Sequence, residues 1–542
     1  MDSESSTESD DYSYDESCDE DEGNSDLEEE FIDAFEKISA TSRNWRRGSF
    51  KPRLFSFDSN GCGLSSTIIN LTLETPLDFF ELFFDPKLLE MIVDETNRFH
   101  RNSAHIGHSH AAPWIDATTN EMYTFLATVM LMPHLKKNRI RDYWSTDHLI
   151  ATPIFAELFT RDRFRALLSN LHFRDNQYQT PEDSLYKIRP IIDELKKRFF
   201  CCLSPYKNLC IDETLALWKG RLHFKQYIPS KRNKFGIKLF ILCDCKTGFI
   251  LDFIVYCGSK TELNYQKDLG VTGSIVTTLL ERFLNKGHSL FVDNYYSSPA
   301  LFEYLHRYKT GACGTVKKNR AGLPTFEEIK EPGEQVFYHT DNLLAFQWRD
   351  KRDVTMLSTL HEPIIVPTGK VDFVTKQEKL KPFCVKEYNE NRGLVDKYDM
   401  QISFSGCIRR SEKWYKKFFF HLMDLTIYNA YVLYKLKKNV NLRLAEYQLE
   451  LIREIIGKYG SQVRTSIGRP PSEHPLRLTA RHFPSRIAST VTQAKRKRKC
   501  YVCAHTVRRE KSRRDTLYEC IECDVGLCVT DCFKDYHTLK VF

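Results

Sequence analysis

The 542-residue sequence lacks any apolar run long enough to cross a bilayer. Its longest such run, from Met122 to Pro133, falls short of the ~20 residues that a spanning helix needs. No charged, apolar and small-residue leader opens the chain, which argues against secretion. Internal repeats are absent too, which excludes a solenoid or propeller. The first 30 residues hold no Lys or Arg against 15 Asp and Glu, so the remaining 512 carry +22 of the overall +7. An acidic leader before a basic body is a layout of proteins that meet nucleic acid. Framework cysteine spacing is also missing from eleven of the 17 cysteines, and an intracellular, reduced protein is expected.

What is present is ample material for cores, with 42% hydrophobic and 13% aromatic residues. Residues 1–70 read as a disordered acidic region, with serines among its carboxylates. Helical periodicity governs 71–204, where Met122–Met132 forms a buried helix stopped by Pro133 and basic and aromatic residues interleave around Arg139–Trp144. The grammar then turns to strands over 205–316. Asn208–Ile211 reads as a strand closed by Asp212, and Gly236–Cys243 and Phe249–Cys257 follow. A helix at Ile275–Leu284 precedes a strand at Ser289–Val292 closed by Asp293. A helix from Pro299 and a strand from Gly311 complete the series. This order predicts an α/β RNase H-like core, with the first and fourth strands adjacent and parallel and a site at their carboxyl ends. Residues 317–380 read as a β-rich insertion, 381–404 as a return to the core, and 405–460 as further helix. A basic linker at 461–498 leads to a cysteine-rich module at 499–542.

Cutting and joining DNA requires an attacking oxygen activated, a leaving oxygen stabilised and the phosphate held between them. Two divalent ions roughly 3.5–4 Å apart accomplish this. Magnesium, or manganese in its place, takes hard oxygen ligands, and a few carboxylates suffice. Asp212 and Asp293 are the expected ligands on adjacent strands, with Asp396 from a nearby helix as the third. Asp399, three residues on, lies on nearly the same helical face. Gly393 is expected to let that helix approach the strands closely.

In the C-terminal module, Cys500 and Cys503 are separated by 16 residues from Cys520 and Cys523, and Cys528, Cys532 and His537 follow. Paired CxxC at this separation fits zinc, because thiolate and imidazole make closed tetrahedral sites. Seven ligands fall one short of two ions, and His505 is the nearest candidate for an eighth. An interleaved, cross-brace fold with two structural zinc ions is expected. Arg508, Arg509, Lys511, Arg513 and Arg514 lie between the CxxC pairs and suit phosphate contact. Lys495, Arg496, Lys497, Arg498 and Lys499 form a basic run, read as a nuclear import signal that also suits DNA.

Several of these residues carry a family resemblance. Ile211-Asp212-Glu213, Trp218-Lys219-Gly220-Arg221, Tyr227-Ile228-Pro229-Ser230-Lys231 and Phe235-Gly236-Ile237-Lys238 resemble the first block of the piggyBac transposase family. Val292-Asp293-Asn294-Tyr295-Tyr296 resembles the second, with Gly314-Thr315-Val316 and Lys318-Asn319-Arg320 after it. Tyr388-Asn389, Gly393 and Val395-Asp396-Lys397-Tyr398-Asp399-Met400 resemble the third, with Glu387 where the family often has Asp. Trp414-Tyr415-Lys416-Lys417-Phe418-Phe419 and Arg481-His482-Phe483-Pro484 are similar to the vertebrate piggyBac element-derived proteins. The resemblance implies an RNase H-like core with Asp212, Asp293 and Asp396 as catalytic triad and Asp399 as a further acid. It implies excision and insertion at TTAA, a C-terminal module that binds terminal inverted repeats, a homodimer pairing two ends, and action in the nucleus. Lys317, Lys318 and Arg320 are expected at the double-stranded DNA. The alternatives are a domesticated DNA-binding protein without transposition, or a RING-like ubiquitin ligase.

Overall fold

The computed structural model describes residues 43–103, 114–229, 231, 234–331, 333–371, 376, 378–407, 413–460, 482–488, 496–539 and 541–542. Residues 1–42, Lys495 and the Asp396 side chain lie outside this set. The chain divides into two compact units. One comprises Met1–Lys136 with Arg165–Tyr459, and the other Lys137–Phe164 with Gly460–Phe542. No helix among the described residues is long and apolar enough to cross a membrane.

In the first unit, helices from both ends of its sequence pack together. They are α1 (Pro76–Glu81), α2 (Pro86–Ser103), α3 (Thr119–Leu131), α4 (Arg189–Cys202), α5 (Gly270–Leu280), α6 (Pro299–Arg307), α7 (Phe383–Arg392), α8 (Leu394–Ser405), α9 (Trp414–Lys438) and α10 (Leu444–Tyr459). A capping box between Thr75 and Asp78 starts α1, satisfying amide donors that the helix itself cannot pair. Helix α10 packs on α1 and α3, and the Tyr447 hydroxyl donates to the Pro76 carbonyl at 3.1 Å. Helix α9 is buried from Tyr415 to Leu433, with exposed Leu436 near its C-terminal end, and ends at Asn439 in the left-handed conformation that closes many helices. Within it Asn429 exchanges two 2.9 Å hydrogen bonds with the backbone of Ile250.

Nine strands among the described residues form one mixed sheet. They are β1 (Asn208–Leu217), β2 (Gln226–Tyr227), β3 (Phe235–Asp244), β4 (Ile250–Val255), β5 (Ser289–Val292), β6 (Gly311–Thr315), β7 (Gln335–His339), β8 (Leu344–Arg349) and β9 (Asp353–Ser358). Their order is β2-β3-β1-β5-β6-β9-β8-β7, with β4 also on β3. The pairs β1–β5 and β5–β6 are parallel, and β1–β3 is antiparallel. Every residue of β3 after Phe235 is buried, which is why this strand reads as a nearly unbroken apolar run.

Two readings of the sequence change here. The strand bearing Asp212 does not end there but continues to Leu217, because its antiparallel partner β3 is long enough to pair the whole of it. The β-rich stretch expected at 317–380 contributes strands β7–β9, which join the main sheet because β9 pairs with β6. Residues 43–70, grouped with the disordered leader, carry ordered structure. Arg46 bridges His339 of edge strand β7, its guanidinium 2.5 Å from Asp341. Arg43 pairs with Glu303 at 2.7 Å, and Phe57 lies against His288 with ring centres 4.9 Å apart. The acidic composition stops before this strap, whose arginines and aromatics find partners on helix α6 and along the sheet's edge and loops.

Among its described residues the second unit contains two small antiparallel sheets. Pro484–Arg486 pairs with Tyr518–Cys520, which pairs with Val525–Gly526, and Arg498–Lys499 pairs with Asp515–Thr516. The cysteine-rich part of this unit has a small core built on Tyr501, Val502, Leu527, Tyr536 and Phe542 among cysteines.

Candidate active site and metal centres

Strands β1 and β5 run parallel until Ile211 meets Val292, the last pair of their register. Asp212 and Asp293 each follow immediately, so the geometry of the parallel pair brings both to one place. Glu213 joins them. One carboxylate oxygen from each of the three lies within 4.8 Å of those from the others. Asp212 is 3% exposed. Its Oδ1 accepts from the Glu213 amide at 2.8 Å, while its buried Oδ2 meets no hydrogen-bond donor among the described residues. An orphaned carboxylate oxygen in an all-oxygen donor set is what a hard divalent cation satisfies.

The surroundings explain the electrostatics. Burial foremost, then the neighbouring Glu213, holds the Asp212 carboxyl well above the usual carboxylate range. Asp293 is raised for the same two reasons, partly offset by the Tyr295 amide, which donates to its Oδ1 at 2.9 Å. The Tyr296 hydroxyl donates to Glu213 Oε2 at 3.2 Å. Lys238 is buried beside the cluster, with its ammonium 4.3 Å from the Tyr295 ring centre. Burial depresses its pKa against the pull of Glu213, Asp293 and Asp212. Two carboxyls held above their usual range, with a third carboxylate beside them, favour a cation in their midst.

The loop after Asp293 is held from two sides. Gly314 sits beside it on β6, where a Cβ would overlap the Val292 carbonyl and the Ser297 hydroxyl. Arg320 is buried and donates to the carbonyls of Asn294 at 2.8 Å and Tyr295 at 3.2 Å. That residue, expected at the DNA, therefore points into the protein, whereas Lys317 and Lys318 are exposed.

Helix α8 carries Asp396 and Asp399 and packs on β1 and β3. The Asp399 carboxylate meets the Thr214 hydroxyl and lies 3.9 Å from the Lys231 ammonium. Gly393 is not needed for a close approach, since a Cβ there would meet nothing within 4 Å.

The cysteine-rich unit gathers two ligand quartets, Cys500, Cys503, Cys528 and Cys532, and His482, Cys520, Cys523 and His537. In sequence they interleave, one outer ligand of the second quartet lying before Cys500 and another after Cys532. Sulfur and nitrogen atoms stand 3.4–3.6 Å apart, as in Cys503–Cys532 at 3.5 Å and Cys520–His482 Nδ1 at 3.4 Å. A tetrahedron with ~2.3 Å zinc–sulfur bonds has edges of about 3.8 Å, so both cysteine clusters could hold zinc. His537 Nδ1 lies 2.8 Å from the Phe533 carbonyl, which directs Nε2 toward Cys523 at 3.6 Å and sets the tautomer a metal needs.

The fourth member of the second quartet is His482, and His505 belongs to neither quartet. His505 Nδ1 is instead 2.8 Å from the Tyr501 carbonyl within its own short helix. Sequence reasoning missed His482 because it lies in the stretch read as linker, with no CxxC spacing to mark it. The adjoining Pro484–Arg486 strand brings it to Cys520. Two residues expected at DNA are engaged within the unit. Arg498 pairs with Glu519 at 2.6 Å and Asp524 at 2.8 Å, and Arg509 donates to the Cys532 sulfur at 3.0 Å. Arg496, Lys497, Lys499, Arg508, Lys511, Arg513 and Arg514 are exposed.

A family model described as transposase IS4 matches residues 75–431. Human piggyBac transposable element-derived protein 3 is 26% identical over 483 residues, covering 86% of this chain and 77% of that protein. Human piggyBac transposable element-derived protein 2 is 26% identical over 384 residues, covering 67% of this chain and 62% of its own length. A piggyBac transposase, solved in a synaptic complex with hairpin DNA, superposes with a TM-score of 0.67 at 20% identity. The match covers 87% of this chain and 99% of that one.

Proposed function

The chain belongs to the piggyBac-type transposase IS4 family, and from that premise we propose that it is a cut-and-paste transposase acting at TTAA sites in the nucleus. The observation that carries this reading is the Asp212–Glu213–Asp293 cluster at the end of the parallel β1–β5 pair, with its orphaned Asp212 oxygen. Residues 205–316 and 381–404 form the RNase H-like core in this reading, and 71–204 with 405–460 supply dimerisation and DNA contact.

Asp212, Asp293 and Asp396 are the metal-binding triad. Two magnesium or manganese ions held there would supply activation of the attacking oxygen and stabilisation of the leaving one. The protein's own part is positional. The register of β1 on β5 sets the Asp212–Asp293 spacing, Tyr295 and Arg320 fix the loop after Asp293, and Thr214 braces α8 through Asp399. The cysteine-rich unit takes two structural zinc ions and grips the terminal inverted repeats through its exposed arginines and lysines. Affinity should accordingly fall with salt as phosphate counterions are released. Pairing two transposon ends calls for a homodimer.

The test is excision from DNA carrying the inverted repeats that flank the reading frame. Wild-type protein with magnesium should cut at the ends, and Asp212→Asn or Asp293→Asn should bind the DNA yet cut at least roughly a thousandfold more slowly, the scale of several kcal/mol of lost charge stabilisation. Cutting by either variant within a few-fold of wild type would refute the two-metal assignment. A second reading, a host DNA-binding protein without transposition, is favoured by the element-derived relatives. Specific end binding with no excision by wild-type protein would support it.

A further inference from the structure

Cys210 stands on β1 two residues before Asp212 and directly opposite Cys243 of β3. Residues two apart on a strand share a face, so this thiol pair lies on the Asp212 side of the sheet. Cys245, just past the end of β3, completes the group. The Cys245 amide donates to the Asn208 carbonyl at 2.9 Å, which sets Cys245 opposite Asn208 and makes it the diagonal neighbour of Cys210 on the same face. Cys210 and Cys243 are each 1% exposed, whereas Cys245 is partly open to solvent. Cys245 also donates through its sulfur to the Asn391 carbonyl at 3.4 Å, on the last turn of α7. Asn391 in turn accepts from Asn208 at 3.1 Å. Helix α7 leads through Gly393 directly into α8, which carries Asp396. The three thiols thus sit where the frame of Asp212 and the frame of the third carboxylate meet.

We propose that Cys245 and Cys210 form an oxidation site that disables the carboxylate centre when they are joined. The oxidant is a peroxide, which meets Cys245 because that thiol alone of the three is reached from solvent. Cys245–SH and hydrogen peroxide give the sulfenic acid and water. The Cys210 sulfur then attacks the Cys245 sulfur, the new S–S bond forms, and the hydroxyl leaves as a second water with the Cys210 proton. The protein loses two electrons and two hydrogens, and peroxide is reduced to two waters. A dithiol returns the pair to its reduced state by exchange through a mixed disulfide.

The consequence follows from geometry. Diagonal partners across an antiparallel pair sit ~7–8 Å apart at Cα, while a disulfide needs 4.4–6.8 Å. Closing the bond therefore pulls Cys210 toward the turn after β3. That movement displaces Asp212, whose distance to Asp293 depends on the β1–β5 register, and removes the Cys245 hydrogen bond that helps seat α7. Misplacement of about 1 Å in a catalytic site costs on the order of a hundredfold in rate.

This inference rests on the two-metal reading of the carboxylate cluster, and its test separates the two. Full-length, zinc-loaded protein is treated with hydrogen peroxide, quenched, digested and mapped for disulfide-linked peptides, and magnesium-dependent end cleavage is measured in parallel. A Cys210–Cys245 linkage is expected, with cleavage reduced at least tenfold and restored by dithiothreitol. Cys245→Ser should cleave as wild type before peroxide and keep most of its activity afterwards, although the zinc-ligand cysteines are unchanged. Any map without the Cys210–Cys245 linkage, or a Cys245→Ser protein inactivated as fast as wild type, overturns the proposal. Untreated protein that never cleaves would overturn the two-metal reading instead. The peptide map, together with the magnesium-induced rise in melting temperature before and after peroxide, would still decide whether the thiols close and disturb the carboxylates.

Discussion

The Asp399 carboxylate accepts a hydrogen bond from the Thr214 hydroxyl, tying helix α8 to strand β1 two residues beyond Asp212. With the Lys231 ammonium 3.9 Å away, Asp399 is committed to protein partners and serves as a brace. Asp396, one helical turn earlier, is the metal ligand in our reading. Asp399→Ala should therefore lower both melting temperature and excision, and Asp399→Asn, which keeps an acceptor for Thr214, should recover much of each. Asp396→Ala should abolish excision and leave the melting temperature unchanged. If Asp396→Ala instead excises DNA and loses about 0.5–2 kcal/mol of stability, that residue is a helix cap.

The metal-free protein should become less stable as pH rises. Asp212 and Asp293 both have raised carboxyl pKa values, through burial and then Glu213. A group whose folded-state pKa exceeds its unfolded value, ~3.9 for Asp, contributes stability below that unfolded value and loses it as pH rises through the folded one. Thermal melts without metal should thus decline as pH rises over the range above the unfolded value of ~3.9, and the decline should flatten in Asp212→Asn. Magnesium should raise the melting temperature more at the upper end of that range, because it competes with fewer protons. A melting temperature independent of pH and magnesium would contradict this.

The histidine ligands can be told apart by counting metal. Wild-type protein should hold about two zinc ions per chain, His482→Ala about one, and His505→Ala about two. Elemental analysis of the purified proteins reads this directly. Two ions in His482→Ala, or one in His505→Ala, would reverse the assignment.

Import should depend on the basic run but not on all of it equally. Arg498 is held by Glu519 and Asp524, so its loss would unsettle the zinc-binding unit. Replacing Lys495, Arg496, Lys497 and Lys499 by alanine should leave a tagged protein in the cytoplasm with its zinc content intact. Unchanged nuclear fluorescence would assign the run to DNA contact alone.

Much of the sheet was legible because its strands are short, apolar and punctuated. Ser289–Val292 falls where its short apolar run before Asp293 puts it, and the long apolar and aromatic stretch of Trp414–Lys438 is helical as expected within 405–460. Helix α7 was not legible, since only Cys384, Val385 and Tyr388 of its ten residues are buried and so few apolar positions leave no periodic signal. The strap before residue 58 has no period at all and is ordered by partners such as Glu303, Asp341 and His339, far along the chain. Asp212 and Asp293 were found because each ends a parallel apolar run. Glu213 was overlooked as a third donor because alternation along an ideal strand would send it to the other face, yet its carboxylate reaches the same cluster.

That strap has a consequence for how the protein is made. The Arg46–Asp341 pair spans 295 residues of sequence. At about 5–20 residues per second, a ribosome needs roughly 15–60 seconds to deliver the second partner after the first. The strap is therefore synthesised early and docks late, and until it does, the Arg46–His339 bridge on strand β7 is unmade and that edge is open to pairing with a neighbouring chain. Slowing elongation between residues 46 and 341 should lengthen the time the strap waits without its partners, without changing a single contact of the folded state.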